Sequence, residues 1–277
     1  NDAFVYEATW DQGIGWNSVD NKLFQAKVGT PLAAIAFAPT QVQIRLYSLN
    51  DSNALQEYAY NGGWQQGSSL PFPNLSPTTS LAAVTWAQST SDQEIRVYYQ
   101  KQDNTLQEIG FSPGPRWTAT NSFTDQAYPG TGLGAILATD NNNSPSLRVY
   151  WQGSDLSLNE YDWAGGWSNR KLNWSPAPSS GIAAASWTDS SGNPFVRVYF
   201  ENTAGIIQEV GYNTPSGWVV GPNDPTDTVV GSQTPISAIL WVNGSDTEIR
   251  AYVKSNSSDT HTEFAYSGSW TSNDLSF

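Results

Sequence analysis

The sequence predicts an all-β chain folded as a six-bladed β-propeller of four-stranded antiparallel blades, with a first blade that is incomplete and carries only its outer two strands. Three observations lead there: a repeat of about fifty residues, four strand-like pieces in each complete repeat, and half a repeat at the start. Glutamates recur in phase at Glu7, Glu57, Glu108, Glu160, Glu209 and Glu263, spaced 50, 51, 52, 49 and 54 residues apart. An arginine precedes each of the last five by 12, 12, 12, 12 and 13 residues, at Arg45, Arg96, Arg148, Arg197 and Arg250. These are five of the chain's seven arginines, which points to one site built several times.

The unit beginning at Leu81 shows the strands in order. Leu81 to Trp86 is small and apolar, as an innermost strand crowded near an axis must be. Ile95 to Gln100 alternates, so Arg96 and Tyr98 share one face while Ile95 and Val97 share the other. Asp103-Asn104 makes a turn, Thr105 to Phe111 forms a third strand, and a Pro/Gly turn leads to Trp117 and a polar fourth strand. The first strand recurs as Ala33 to Phe37, Gly134 to Leu137, Ala183 to Trp187 and Ser237 to Trp241. The second recurs as Ile44 to Tyr47, Leu147 to Tyr150, Val196 to Tyr199 and Ile249 to Tyr252. Helical solenoids of similar period need a 3.6-residue rhythm, which is absent. A single domain over 1–277 is expected, with blades near 1–32 (partial), 33–80, 81–132, 133–181, 182–235 and 236–277. In the partial blade, Phe4 to Trp10 matches the third strand and Gly15-Trp16 the fourth. An arginine twelve residues before Glu7 would lie ahead of Asn1. A chain starting Asn1-Asp2 without Met is expected to have lost residues by processing or truncation, and no leader segment chooses between a secreted and a cytoplasmic location.

Composition narrows the function classes. With 13 Trp, 13 Tyr and 10 Phe among 277 residues the chain can fill a large core, and 23 Gly with 16 Pro suit many short strands. Its apolar runs fall far short of the roughly 20 residues of a membrane-spanning helix. A formal charge of −13 with only 12 cations opposes nucleic-acid binding. The absence of Cys removes disulfides and thiolate chemistry, and the one His, His261, would have to serve any Ser-His-Asp triad from what reads as a polar turn. The cluster Asp140 to Asn143 lacks the spacing of a calcium loop and reads as a turn, so neither metal nor cofactor is expected. Asn-x-Ser/Thr triplets at Asn50, Asn74, Asn142, Asn173, Asn243 and Asn256 would permit glycosylation, and in a chain this rich in Asn and Ser are expected by chance.

The repeated Ile-Arg-Val-Tyr strand, the Leu-Gln-Glu-Tyr/Phe strand with its Gly-Trp ending, and the segments Ala26 to Ala34 and Pro129 to Ala135 together resemble the fungal fucose-specific lectins of the Aleuria aurantia lectin type. The resemblance covers the whole chain. It implies a six-bladed propeller that binds L-fucose or fucosylated glycans and glycoproteins between neighbouring blades, performs no chemistry, and is compatible with a homodimer. It also implies the site residues: Arg and Glu of one blade, the aromatic three residues after the next glutamate, and the Trp of the Gly-Trp turn. Site one is then Arg45, Glu57, Phe111 and Trp117, and site two Arg96, Glu108, Trp163 and Trp167. Site three is Arg148, Glu160, Tyr212 and Trp218, and site four Arg197, Glu209, Tyr266 and Trp270. Site five is Arg250, Glu263, Trp10 and Trp16 and requires the ring to close. Phe111 offers no hydrogen-bond donor, so site one is expected to be the weakest. A pocket of Glu7, Tyr60 and Trp64 has no arginine and is expected to stay empty.

The chemistry fits a deoxysugar, whose vicinal hydroxyls need a donor fork and a charged acceptor, and whose methyl and C–H face needs an aromatic wall. Repetition around a ring turns weak sites into avidity. Three other readings stand beside this one. The Arg and Glu could be inter-strand ion pairs, although exposed pairs contribute only about 0–1 kcal/mol each. The fold could be a protein-interaction scaffold. A propeller glycosidase would need two catalytic carboxylates in one site, where the repeat supplies one per unit, and no Ser-x-Asp-x-Gly-x-x-Trp box is present.

Overall fold

The computed structural model describes residues 2–17, 21–38, 40–87, 92–114, 116–139, 145–221, 233–243, 246–254 and 261–275. The Asp140 to Asn143 cluster and the triplets at Asn142 and Asn256 lie outside them. No helix is long and apolar enough to cross a membrane, and no three His, Asp or Glu side chains gather as metal ligands, both among the described residues. The chain divides into two compact units, 1–125 with the last residue and 126–276.

The first unit holds the partial blade and two complete ones. Blade two consists of Ala33–Phe37, Gln43–Leu49, Leu55–Tyr60 and Trp64–Ser69, and blade three of Leu81–Ala87, Gln93–Gln100, Leu106–Ser112 and Arg116–Ser122. The second unit holds blade four, Leu133–Thr139, Pro145–Gln152, Leu158–Trp163 and Trp167–Lys171, and blade five, Ile182–Thr188, Pro194–Glu201, Ile207–Asn213 and Gly217–Val220. Blade six is Ile236–Asn243, Asp246–Lys254, His261–Ser267 and Trp270–Leu275. Each is one antiparallel sheet with its strands side by side in chain order, the meander that short turns impose. The chain is thus a propeller of four-stranded blades, five of them complete.

The first blade is incomplete as expected, and its chain is divided into two short ribbons: Phe4–Tyr6 pairs with Lys22–Gln25, while Thr9–Asp11 pairs with Gly15–Asn17. The division falls at Glu7, whose amide donates to the Asn21 carbonyl at 3.1 Å. One expectation is corrected. His261 is not in a turn but opens the third strand of blade six, opposite Lys254 and Leu275.

Apolar residues pack between sheets rather than within them, because each sheet presents a face to its neighbour. Ala33, Ile35, Leu49 and Leu55 of blade two meet Ile95, Val97 and Ile109 of blade three. Likewise Ile136 and Leu158 of blade four meet Val196, Val198 and Val210 of blade five, and Tyr199 and Ile207 of blade five meet Ile249, Val253 and Phe264 of blade six. Innermost strands approach through their backbones. A Cβ on Gly181, ahead of the blade-five first strand, would stand 2.4 Å from the Thr234 carbonyl oxygen and 2.7 Å from the Ile236 amide. That crowding explains the small first-strand residues.

One polar element recurs inside this core. Tyr47, Tyr98, Tyr150 and Tyr199 have no exposed surface, and their hydroxyls donate to Glu57, Glu108, Glu160 and Glu209 at 3.1, 2.8, 2.8 and 2.7 Å. Burial first, and then the adjacent carboxylate, push all four phenols well above the ordinary tyrosine range.

Two expectations follow for stability. Gly181→Ala forces backbone atoms apart and should cost about 1–3 kcal/mol, seen as a lowered thermal midpoint, whereas Gly114→Ala, with open space around it, should leave the midpoint unchanged. The buried phenols are neutral when folded and ionise near pH 10 when unfolded, so their stabilisation is intact below about pH 10 and is lost as pH rises beyond it. Phenolate absorbance should show these four appearing only together with loss of the β-sheet circular dichroism; their smooth titration in the folded chain would contradict this.

Candidate functional site

Strand parity decides which side chains can meet. Residues directly opposed across two strands share a face, and successive residues alternate. In blade three Arg96 opposes Gly110 and Tyr98 opposes Glu108, while Ile95 opposes Phe111. Glutamate and the aromatic three residues later are an odd number apart, so they point from opposite faces. Each complete blade therefore carries Arg, Tyr and Glu on one face and an aromatic pair on the other. The aromatic pairs are themselves directly cross-strand: Trp10 with Trp16, Tyr60 with Trp64, Phe111 with Trp117, Trp163 with Trp167, Tyr212 with Trp218, and Tyr266 with Trp270.

Between blades two and three these sets converge. Arg45, Glu57, Phe111 and Trp117 line one cleft of about 410 Å³, with Phe37 and Ser68 also at its wall. Glu57 is buried, one oxygen taking the Tyr47 hydroxyl and the other the Ser68 amide at 2.8 Å. Arg45 is held by the Ile44 carbonyl at 2.9 Å, Gln43 Oε1 at 3.1 Å and Asn61 Oδ1 at 3.2 Å. The Tyr47 ring meets Trp117 edge to face at 5.9 Å, so one tyrosine fixes both the carboxylate of its own blade and the tryptophan of the next.

The same joint recurs in the second unit. Tyr150 meets Trp218 at 5.9 Å between blades four and five, and Tyr199 meets Trp270 at 6.1 Å between blades five and six. Arg197 Nε lies 3.3 Å from Glu209 Oε1, with both side chains almost buried. Arg148 Nη1 lies 3.5 Å from Glu160 Oε2, and its guanidinium stands 5.4 Å over Tyr212. Burial raises the Glu160 carboxyl above the usual glutamate range, partly offset by Arg148. A hollow of about 370 Å³ lined by Arg170, Lys171, Trp174 and Trp218 opens beside this cleft. Glu160 Oε1, Arg148 Nε, Trp218 Nε1 and, in the first unit, Trp117 Nε1 are buried without a hydrogen bond inside the protein, which leaves donors and an acceptor for a polar ligand.

The remaining expected sites combine residues of both units, and each half stands on its own. Arg96 pairs with Glu94 at 3.0 Å and lies 3.9 Å from Glu108, while Trp163 and Trp167 are half-buried in blade four. Arg250 pairs with Glu248 at 3.3 Å, Glu263 lies beneath Tyr252, and Trp10 is 57% exposed beside Trp16. Glu7 accepts from Asn21 Nδ2 at 3.0 Å in place of an arginine, and Tyr60 and Trp64 touch at 5.7 Å.

Sequence reasoning overlooked the tyrosine two residues after each arginine, although the shared face of Arg96 and Tyr98 was its signal. It also overlooked the first-strand aromatics beneath the arginines, Phe37, Trp86, Trp187 and Trp241, which were visible in the motif only as apolar filler.

Comparison with known proteins identifies the fold and the family. The structure superposes on the six-bladed lectin of Aleuria aurantia with a TM-score of 0.83 at 26% identity, covering 98% of this chain and 86% of that one. A variant of that lectin, crystallised with α-methyl-L-fucoside, superposes with a TM-score of 0.81 over the same shares. The fucose-specific lectin of Aspergillus fumigatus is 36% identical over 170 residues, 59% of this chain and 51% of that protein, and the Aleuria aurantia sequence is 35% identical over 151 residues, 53% and 47%. The matched stretches span about half the length of these relatives. The family model of fungal fucose-specific lectins matches residues 3–275, and the chain belongs to that family.

Proposed function

We propose that this protein is a multivalent lectin that holds L-fucose, free or at the end of glycans and glycoproteins, in clefts between neighbouring blades and catalyses no reaction. The observation that carries this reading is the cleft between blades two and three, where Arg45, Glu57, Phe111 and Trp117 surround one space; the tyrosine–tryptophan contact at this joint recurs between blades four and five and between blades five and six. A buried carboxylate held by a tyrosine keeps a lone pair on each oxygen for sugar hydroxyls, while the guanidinium supplies donors beside it. The aromatic pair of the next blade faces the C–H and methyl side of a deoxysugar. The relatives named above are fucose-specific lectins, and one binds α-methyl-L-fucoside. Each unit of the repeat contributes one phase-matched glutamate, which suits binding better than the paired carboxylates of glycoside hydrolysis.

The site residues are those of the first, third and fourth sets above, each within one unit, and the half-sets Arg96 with Glu108, Trp163 with Trp167, Arg250 with Glu263 and Trp10 with Trp16; Tyr47, Tyr98, Tyr150, Tyr199 and Tyr252 support the glutamates. Calorimetric titration with L-fucose should give exothermic, saturable binding, and free fucose should inhibit red-cell agglutination; flat heats would sink the reading. In Phe111→Tyr the new hydroxyl can donate to a sugar oxygen, a bond of about 0.5–1.5 kcal/mol, so one class of sites should tighten by roughly two- to tenfold in the same titration.

A further inference from the structure

Four of the five repeat arginines lie flat on their own blade. Arg45, Arg96, Arg197 and Arg250 each donate from Nη1 to the carbonyl of the preceding residue, at 2.9, 2.8, 2.8 and 2.8 Å. Each guanidinium stands over a first-strand ring: Phe37 at 5.2 Å, and Trp86, Trp187 and Trp241 at 4.9 Å. The third strand makes room on the other side, where the residue opposite the arginine is Ala59, Gly110, Gly211 or Ala265. That room is filled: a Cβ on Gly110 would lie 2.9 Å from Arg96 Nη1, and one on Gly211 would lie 2.7 Å from Arg197 Nη1. Stacked and hydrogen-bonded in this way, the planar fork loses little further freedom when it binds.

Blade four lacks both supports. Ala138 occupies the place of the first-strand ring, two residues beyond the partner of Arg148, and Asp162 stands opposite the arginine. Arg148 is turned accordingly. It lies 3.5 Å from Glu160 and 3.8 Å from Asp162, and reaches across to blade five to stand over Tyr212. Tyr212 belongs to the aromatic wall that a sugar in this cleft would need. Arg170 from the fourth strand, 3.8 Å from Glu160 Oε1, replaces the neutral donors that serve Glu57 and Glu108, the Ser68 amide and the Thr120 hydroxyl.

We infer that the first-strand aromatics and the small residues opposite the arginines are positioning residues of the sugar sites, and that the cleft between blades four and five is a site of a different class. There Arg148 must leave Tyr212 before fucose can lie against the ring, so this cleft binds more weakly than the one between blades five and six. The inference rests on the fucose reading above.

Titration of the chain with α-methyl-L-fucoside counts the tight equivalents. Trp187→Ala should move one equivalent into a class about tenfold weaker, and Trp187→Phe should return it, since Phe37 already serves in blade two. Ala138→Trp combined with Asp162→Gly, the two residues that blades three and five carry, should add one tight equivalent. A tight count that stays fixed in this double variant, or in a Trp187→Ala chain whose thermal midpoint shows it folded, overturns the inference. A sugar-free crystal structure of the double variant reads the same point without any ligand: Arg148 moved against the Leu147 carbonyl supports it, and Arg148 still over Tyr212 overturns it. Absence of fucoside heat from the unaltered chain would instead count against the lectin reading and leave that structural readout standing.

Discussion

A buried phenol donating to a buried carboxylate is the joint on which the rest of the molecule turns. A glutamate taken out of water is costly unless its oxygens are satisfied, and in four blades a fully buried tyrosine supplies the bond. In three of them the same ring meets the tryptophan of the following blade edge to face. The tyrosine thus aligns a carboxylate with the aromatic wall of a neighbouring sheet. Loss of its hydroxyl would leave the glutamate buried and less satisfied, and loss of its ring would open the seam between blades. Stability and the candidate binding geometry share this one contact.

Why one strand can serve two clefts is a matter of parity. Alternation sends glutamate and the aromatic three residues later to opposite faces, so the third strand of blade five serves the joints on both sides of its sheet. The core follows the same logic, because Ile, Val and Leu fill the space between sheets below the clefts. Recognition surface and packing surface are successive layers of the same inter-blade contact, which is why close backbone approach at Gly181 and the polar clefts can coexist over one strand length.

The repeats are similar without being equivalent. Arginine can lie on its own sheet only where an aromatic ring supports it from the first strand and a glycine or alanine leaves room on the third. Blades two, three, five and six meet both conditions, and blade four meets neither. The guanidinium without that seat, Arg148, reaches across to Tyr212 of the next blade. Two substitutions that look neutral in a repeat alignment, Ala138 and Asp162, thereby change what the cleft offers.

Much of this was legible in the chain. The fifty-residue period, the four strands per unit and the phase of Arg45 to Arg250 against Glu57 to Glu263 follow from alternation and turn residues, which act locally. The paired aromatics were visible too, since Phe111 with Trp117 or Tyr212 with Trp218 flank a tight turn and must oppose one another. The break of the first ribbon at Glu7 and the extension of the blade-six strand back to His261 were not legible, because they depend on pairing with Asn21 and with Leu275 rather than on local propensity. Nor was the tyrosine's double role, or the turned Arg148. The direction of a long side chain is settled by residues ten and fourteen positions away that cross-strand pairing brings beneath it and beside it, and such neighbours exist only once the sheet has formed.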